Sequence, residues 1–276
     1  MFMDAMKSTK LLFWRVSWIL SQSNTDLLND DYTTKVSLKC KKDAGPVAVT
    51  IDTTRGKDGS LSSKIGTKFS YAGLSFDKVQ LESCGGQTLE TSLSPAPGLK
   101  FSFKGSKGGD LGCNYTSGNF IGTANLDVKD LSSVSSSACV GLAGGVSLGG
   151  DVSYSLKNSG FSGFNVGAAY SKGPLFAAVT TSNKLATVNV SMMYKVNSDM
   201  TIASSTTHSA AKACDVVAVG GLYKSSLGDL KAKVGSDKVI SACLVREVAP
   251  KVKVTASGSV TGSDFSTFKY GLGVSM

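Results

Sequence analysis

From Tyr32 to the end of the chain, apolar and polar residues alternate with a period of two. In the segment 98–105, Leu99, Phe101 and Phe103 alternate with lysine and serine, and the segment 268–276 follows the same rule. Successive side chains of a β-strand point to opposite faces, so this period predicts strands with one apolar and one polar face. No long helix-forming segment interrupts the pattern.

Short clusters of glycine, serine, lysine and aspartate separate the alternating runs and mark turns. They divide the chain into about nineteen strands of roughly ten residues, the length that a tilted membrane-spanning strand requires. The predicted strands lie near 32–41, 46–54, 61–71, 74–83, 87–94, 98–105, 109–117, 119–128, 134–143, 146–156, 162–171, 175–182, 186–194, 199–208, 214–223, 229–235, 239–246, 250–259 and 266–275.

The alternation alone fits two architectures. A soluble sandwich buries its apolar faces against each other, whereas a membrane barrel turns them to lipid and lines its lumen with polar residues. The number of similar strands exceeds what one sandwich uses, and closure removes the unpaired strand edges that lipid does not tolerate. We therefore expect an all-β fold, a transmembrane up-and-down β-barrel of about 19 strands with a short N-terminal helix. An odd strand number requires one parallel pair, which we predict between the strands near 32–41 and 266–275.

Residues 1–31 differ from the rest and are expected to form a separate N-terminal segment, with the barrel spanning 32–276. The run LLFWRVSWIL, residues 11–20, is apolar on nearly all sides but is too short to cross a bilayer as a helix. Arg15 interrupts it and no small-residue cleavage site follows, which argues against a secretory signal. We expect a short helix that lies in the pore or on the membrane surface.

Composition narrows the function. The chain of 276 residues has 29 Lys+Arg, 20 Asp+Glu and a net charge of +9, but its lysines are dispersed, which does not favour nucleic-acid binding. The six cysteines are scattered and His208 is the only histidine, so we expect neither a metal site nor a cofactor. No glycine-rich segment has phosphate-loop spacing, and His208 is the only histidine that could serve a catalytic triad, so we expect no enzyme activity.

The excess of lysine suggests a function for the polar face. If these side chains point into the lumen, they create a positive potential that enriches anions. The residues that strand parity assigns to the pore lining and to anion selectivity are Lys35, Lys39, Lys41, Lys100, Lys231, Lys233, Lys251, Lys253 and Lys269. Some of them could instead lie at rims and turns, where salt screens their charge.

Several segments, in their order along the chain, carry a family resemblance. They are DLLNDDY (26–32), PAPGLKFSF (95–103), YKVNSDMTIA (194–203), GDLKAKV (228–234), APKVKVTASG (249–258) and KYGLGVSM (269–276). With them the chain resembles the mitochondrial porins, the voltage-dependent anion channel family, over nearly all of 26–276. The resemblance implies a 19-stranded, voltage-gated and weakly anion-selective pore of the mitochondrial outer membrane. The bilayer would be its partner, and ATP, ADP, phosphate and organic anions its permeants.

The resemblance also implies roles for individual residues. Gly98, Leu99 and Lys100 match a position that the family associates with nucleotide contact, although Lys100 could equally be an ordinary pore lysine. The family's acidic, lipid-facing residue would fall near Asp77, with a shifted local register. The N-terminal segment departs from the family pattern, because Asn29, Asp30 and Asp31 stand where basic residues are usual.

Two other pores remain possible. A protein-import translocase of the same barrel superfamily would need acidic interior patches for basic presequences. A bacterial porin would have an even strand number, a cleavable signal and usually an aromatic last residue, whereas this chain ends in Met276. The sequence leaves open whether copies of the chain form a homo-oligomer, which segment moves in gating, and the conductance.

Overall fold

The computed structural model describes residues 27–56, 58–106, 108–210, 215–262 and 264–276. Within them, nineteen strands form one sheet that closes on itself, which confirms the predicted barrel. The strands are β1 Val36–Ala44, β2 Val47–Arg55, β3 Leu61–Tyr71, β4 Leu74–Glu82, β5 Gln87–Ala96, β6 Leu99–Gly105, β7 Gly109–Ser117, β8 Phe120–Asp127, β9 Ser133–Gly141, β10 Val146–Ser155, β11 Gly160–Lys172, β12 Leu175–Ser182, β13 Thr187–Lys195, β14 Met200–Ser209, β15 Val216–Ser225, β16 Gly228–Gly235, β17 Val239–Ala249, β18 Val252–Thr261 and β19 Asp264–Ser275. Residues 27–29 form a helical turn, and Ala143–Gly145 a 3₁₀ turn. The apolar run 11–20 lies outside the described residues.

Closure joins the first and last strands in parallel, as predicted from the odd strand number. Val36 pairs with Leu272 and Lys39 with Ser275, whereas every other neighbouring pair is antiparallel. The antiparallel pairs follow from short connections between consecutive strands. The parallel pair forms because, after an odd number of strands, β1 and β19 run in the same direction.

The alternation of side chains separates two faces of the sheet. On β15, Val217, Val219 and Tyr223 are exposed on the outer face. Gly220 and Leu222, on the same strand, point the other way and pair with the lysines of β16. This arrangement repeats around the barrel, so the large apolar residues form an outer belt suited to lipid.

The two ends of the barrel have different connections. At the end where β1 turns into β2, most connections are two-residue turns, and Pro46, Pro97, Pro174 and Pro250 lie in them; we call this end the proline rim. Proline supplies a fixed φ and needs no ladder hydrogen bond in such turns. At the opposite end, the long-loop rim, the connections are mostly longer, for example 56–60 and 128–132.

Strand boundaries agree with the predicted ones within a few residues, but two differences matter for function. β1 begins at Val36 and not near residue 32, because residues 33–35 cross the inner side of β19. β18 begins at Val252, so Lys251 lies in the turn from β17, with a positive φ of 71°. The placement of Lys251 on a strand wall was therefore wrong.

Candidate pore lumen

The inner face of the barrel is built from the polar side of each strand. On β9, Ser135, Ser137 and Cys139 point inward and pair with Ser153, Asp151 and Gly149 of β10. Between them lie Ser136 and Ala138, which point outward. Serine, threonine, asparagine and glycine dominate this inner face, which suits a wall that water wets.

Charged residues also line the inner face. Strand register assigns to it lysines and acids in similar numbers, with a small excess of lysine. The lysines are Lys39, Lys41, Lys64, Lys68, Lys78, Lys100, Lys104, Lys195, Lys224, Lys231, Lys233, Lys253 and Lys269, and the acids are Asp43, Asp52, Asp77, Glu82, Glu90, Asp110, Asp127, Asp151, Asp229 and Glu247. The wall is therefore less positive than the net charge of +9 suggests.

Most of the lysines predicted to line the pore lie on inner-face strand positions. These are Lys39, Lys41, Lys100, Lys231, Lys233, Lys253 and Lys269. Lys35 precedes β1 at the long-loop end of the seam, and Lys251 lies in a turn at the proline rim. Register thus places these last two at the edges of the lumen.

Acidic neighbours neutralise several of the lumen lysines. The Lys64 ammonium lies 2.9 Å from a carboxylate oxygen of Glu82, and the Lys104 ammonium 3.5 Å from one of Glu90. Such partly exposed pairs contribute little to stability, but each cancels a charge that permeating ions would otherwise meet. Neither Lys64 and Lys104 nor their acidic partners on neighbouring strands were among the residues predicted to line the pore.

The clearest of these clusters surrounds Asp77, at a β-bulge in β4. Both neighbouring strands show the same extra residue: β4 advances three residues from Phe76 to Val79 while β3 advances two, and it advances two from Phe76 to Lys78 while β5 advances one. A bulge leaves one residue unpaired and redirects its side chain. Strict alternation from the outward Phe76 would turn Asp77 inward and Lys78 outward. The bulge instead places both side chains on the inner side.

Asp77 therefore faces the lumen and contacts three inner-face side chains. Its carboxylate accepts a hydrogen bond from the Ser92 hydroxyl, and its oxygens lie 3.4 Å from the Lys100 ammonium and 3.8 Å from that of Lys68. The family position near Asp77 is lipid-facing. In this chain the Asp77 carboxylate is on the water side. The expectation from the resemblance, that an acid near Asp77 faces lipid, was therefore wrong.

The predicted nucleotide-contact triplet is split by the strand geometry. Gly98 lies in the turn that precedes β6 with φ of 82°, and Leu99 pairs with the outward Tyr115. Lys100 pairs with Asn114 on the inner face. Register thus presents only Lys100 of the three to the lumen, where Asp77 is its neighbour.

Charge is unevenly distributed around the wall. The inner faces of β9 to β14 carry small and hydroxylated residues, with Asp151 and Lys195 as their charged members. The charged lysines and acids concentrate on β1 to β7 and, across the seam, on β16 to β19. One half of the circumference is therefore charged and the other is nearly neutral.

Residues 27–34 lie against the inner wall between β13 and β19. Leu27 and Leu28 are 6% and 3% exposed and pack with Ala203, Met193 and Leu222. A Cβ on Gly220 would come within 2.7 Å of a Leu28 methyl group, so the absence of a side chain there permits the close approach. Burial of these two leucines fixes the start of the described chain inside the barrel.

Polar contacts hold Asp31 and Tyr32 against the same wall. The Lys231 ammonium donates to an Asp31 carboxylate oxygen at 2.6 Å, and the Lys233 ammonium lies 4.5 Å from the centre of the Tyr32 ring. A cation over an aromatic face is attracted by the ring quadrupole. Burial raises the pKa of the Tyr32 phenol, and the nearby Cys243 and Asp31 raise it further. Asp31 of DLLNDDY, which stands where the family pattern has a basic residue, thus engages the wall lysine Lys231.

The chain then crosses β19 at Gly271. The Ser257 hydroxyl donates to the Thr33 carbonyl, and a Cβ on Gly271 would overlap that same carbonyl. Only glycine leaves room for backbone to pass so close to a strand. Within the described residues there is no group of three or more potential metal ligands, and none of the helices is long and apolar enough to cross a membrane.

Comparisons with known proteins agree with this architecture. The family model for eukaryotic porin matches residues 19–273. Mitochondrial outer membrane protein porin 3 of Arabidopsis thaliana is 29% identical over 244 residues, which cover 85% of this chain and 87% of that protein. Porin 1 of the same plant is 28% identical over 189 residues, covering 66% and 68%. A mutant of the Rh. blastica porin superposes with a TM-score of 0.52 at 13% identity, over 87% of this chain and 94% of that one, which is a likeness of fold.

Proposed function

The chain belongs to the eukaryotic porin family and is a β-barrel of the mitochondrial outer membrane, and from this premise we propose that it is a voltage-gated, weakly anion-selective diffusion pore. Its permeants would be small metabolites and ions, including ATP, ADP, phosphate and organic anions. The observation that carries the proposal is the division of the sheet into an outer apolar belt and an inner face of hydroxyls, amides and lysines. Such a wall leaves ions hydrated, so the lumen field alone discriminates between them.

The weakness of the selectivity has a source in the paired charges. Lysines exceed acids on the inner face by a small margin, and several of the acids lie within 4 Å of a lysine. A wall of this kind enriches anions modestly. Lys39, Lys41, Lys253 and Lys269, near the seam, have no ion pair within the described residues and would contribute most to the preference.

A nucleotide contact at Lys100 fits the same picture. An ammonium is a point-charge partner for phosphate. Lys100 and the neighbouring Lys68 both lie within 4 Å of Asp77, so a phosphate would compete with this carboxylate for them. We propose that nucleotides meet Lys100 in transit through the pore and do not occupy a tight site.

Two arguments support voltage gating: the resemblance to the voltage-dependent anion channels and the electrical energy available to moving wall charges. Moving one charge across 100 mV is worth about 2.3 kcal/mol, so three effective charges give roughly 7 kcal/mol. A shift of population from 1:99 to 99:1 needs about 5.5 kcal/mol. The wall lysines could supply this charge.

Reconstitution of the purified chain in planar bilayers tests the proposal. In a tenfold salt gradient we expect a small reversal potential whose sign shows that anions permeate better than cations. At high voltage of either polarity we expect the pore to close to a lower conductance. Absence of a large ohmic conductance at low voltage would refute the pore, whereas a conductance that ignores voltage would refute only the gating.

A second candidate, a protein-import translocase, is favoured by one observation. Asp77, Glu90 and Asp110 line a hollow of about 510 Å³ on the inner face, and Lys104, 3.5 Å from Glu90, lines it too. The excess of acids over this lysine would suit basic presequences. Strong cation preference, or block of the current by a basic presequence peptide at micromolar concentration, would favour this function over metabolite diffusion.

A further inference from the structure

A hollow lies at the long-loop end of the seam, and residues from both faces of the sheet line it. It has a volume of about 470 Å³, and Lys35, Arg55, Lys269, Phe268 and Tyr270 are among its lining residues. Pairing between β1 and β19 begins only at Val36 and Leu272. The residues of β19 before Leu272 therefore have no β1 partner, and the strand edge faces the hollow.

Three cations surround this hollow with little acidic compensation. None of the ion pairs in the described part of the chain includes Lys35, Arg55 or Lys269. The nearby acid is Asp58, whose carboxylate accepts hydrogen bonds from the hydroxyl and backbone N–H of Ser60. The Ser60 bonds lower the pKa of Asp58, and Lys35 lowers it by a smaller amount. The hollow keeps a net positive charge.

The hollow also reaches the outer, lipid-facing side of the barrel. Arg55 pairs with the outward Val36, at the end of β2. Phe268 and Tyr270 are 57% and 70% exposed on the same outer side, and their rings stack with centroids 6.5 Å apart. Aromatic side chains at strand ends mark the level of lipid headgroups in membrane barrels. The cations are thus at headgroup depth, beside an apolar surface that acyl chains can cover.

We propose that this hollow binds the phosphate headgroup of an anionic phospholipid from the surrounding bilayer. Arg55 and Lys269 contact the phosphate oxygens, Lys35 adds charge, and the first acyl carbons lie on the rings of Phe268 and Tyr270. A free anion from the lumen would use the cations but not the exposed aromatic pair. A bound headgroup would also give the N–H groups of the open β19 edge an acceptor where no strand pairs with it.

Native mass spectrometry of the full-length chain in non-ionic detergent tests the site. The chain is titrated with dioleoylphosphatidylglycerol and, separately, with dioleoylphosphatidylcholine and with inorganic phosphate. A basic residue at a lipid surface changes binding roughly fivefold. We expect Arg55→Gln and Lys269→Gln each to weaken phosphatidylglycerol binding about fivefold, and the double variant about 25-fold.

The control is a double variant with the same change of charge on the outer face near the proline rim, Lys42→Gln with Arg246→Gln. Their register partners Val49 and Val254 are outward residues, so both cations lie far from the hollow. The control should bind phosphatidylglycerol like the wild type. Equal loss in both double variants would overturn the site, since it would reveal general surface electrostatics.

Three further outcomes also overturn the proposal. The first is equal affinity of the wild type for phosphatidylcholine. The second is binding of inorganic phosphate that the two seam substitutions weaken as much as lipid, which would assign the cations to a soluble anion. The third is a dimer that these substitutions dissociate, which would assign the open edge to a second copy of the chain. The two single variants keep the test valid if the double variant does not fold.

Discussion

Replacement of Asp77 by asparagine tests how the lumen charges set selectivity. The carboxylate lies 3.4 Å from the Lys100 ammonium and 3.8 Å from that of Lys68. In water each contact is worth about 1 kcal/mol, and partial exposure of all three groups keeps the net value at or below this. The Asp77→Asn substitution preserves shape and the bond to Ser92, releases both lysines and makes the wall more positive by one charge.

The effect on permeation follows from Coulomb's law with screening. An ion that passes roughly 10 Å from the new charge gains or loses about 0.4 kcal/mol without salt, and about 0.15 kcal/mol after one Debye length of screening. Because the change has opposite sign for anions and cations, the ratio of their permeabilities should rise by about 1.5-fold to fourfold. Reversal potentials in a tenfold gradient of potassium chloride measure this ratio.

Two variants serve as controls for that measurement. Asp199→Asn makes the same change of charge in the 196–199 turn at the proline rim and should shift the reversal potential less. Adding Lys100→Gln to Asp77→Asn should restore the wild-type ratio. The reasoning is refuted if Asp77→Asn and Asp199→Asn give the same reversal potential, since the carboxylate would then not act on the ion path.

Three other substitutions test the wall and the segment that crosses it. Gly271→Ala should reduce the free energy of unfolding in detergent by about 1–3 kcal/mol and lower the melting temperature, because the new Cβ would overlap the Thr33 carbonyl. Gly273→Ala should cost less, since its Cβ would meet other atoms only at 3.2 Å or more. Equal melting temperatures of the two variants would contradict the crossing at Gly271. Burial raises the pKa of Tyr32 in the folded chain, so its contribution to stability is complete below the ordinary phenol pKa of 10.0 and is lost as pH rises beyond it. Melting temperatures measured from pH 9 to 11.5 should therefore fall less steeply for Tyr32→Phe than for the wild type, and parallel curves would argue against burial of the phenol. In a cysteine-free background, a membrane-impermeant, water-soluble thiol reagent should modify Ser137→Cys on the inner face and spare Ser136→Cys on the outer face, and the reverse preference would invert the assignment of the wet side.

Much of the fold was predictable because each strand pairs with the next one along the chain through a short connection. Each strand is marked by its own alternation and most turns at the proline rim by a glycine or proline, and these signals are local. An odd number of such strands in a closed meander requires a parallel first and last pair, and Val36 and Leu272 begin that pair. The assignment of lysines such as Lys39, Lys231 and Lys253 to one face follows from the same parity.

The charge of the site was less predictable, because it depends on which residues meet across strands. Asp77 lies at a bulge in β4, and a bulge changes the facing of a side chain without a signal in the composition. Glu82 and Glu90 neutralise lysines that lie eighteen and fourteen positions away in sequence. Parity along a strand indicates which face a lysine lies on, but only the register between strands shows which acid lies beside it.

The sequence by itself determined the strands, their order and, away from bulges, the parity of the side chains, since these depend on neighbours within about ten residues. The tertiary structure decided where the chain crosses β19 beside Gly271, which lysines stay unpaired and where the seam opens between β19 and β2. Those features arise when residues at opposite ends of the chain come together on closure, and their contacts are set by register and by the space that glycine leaves.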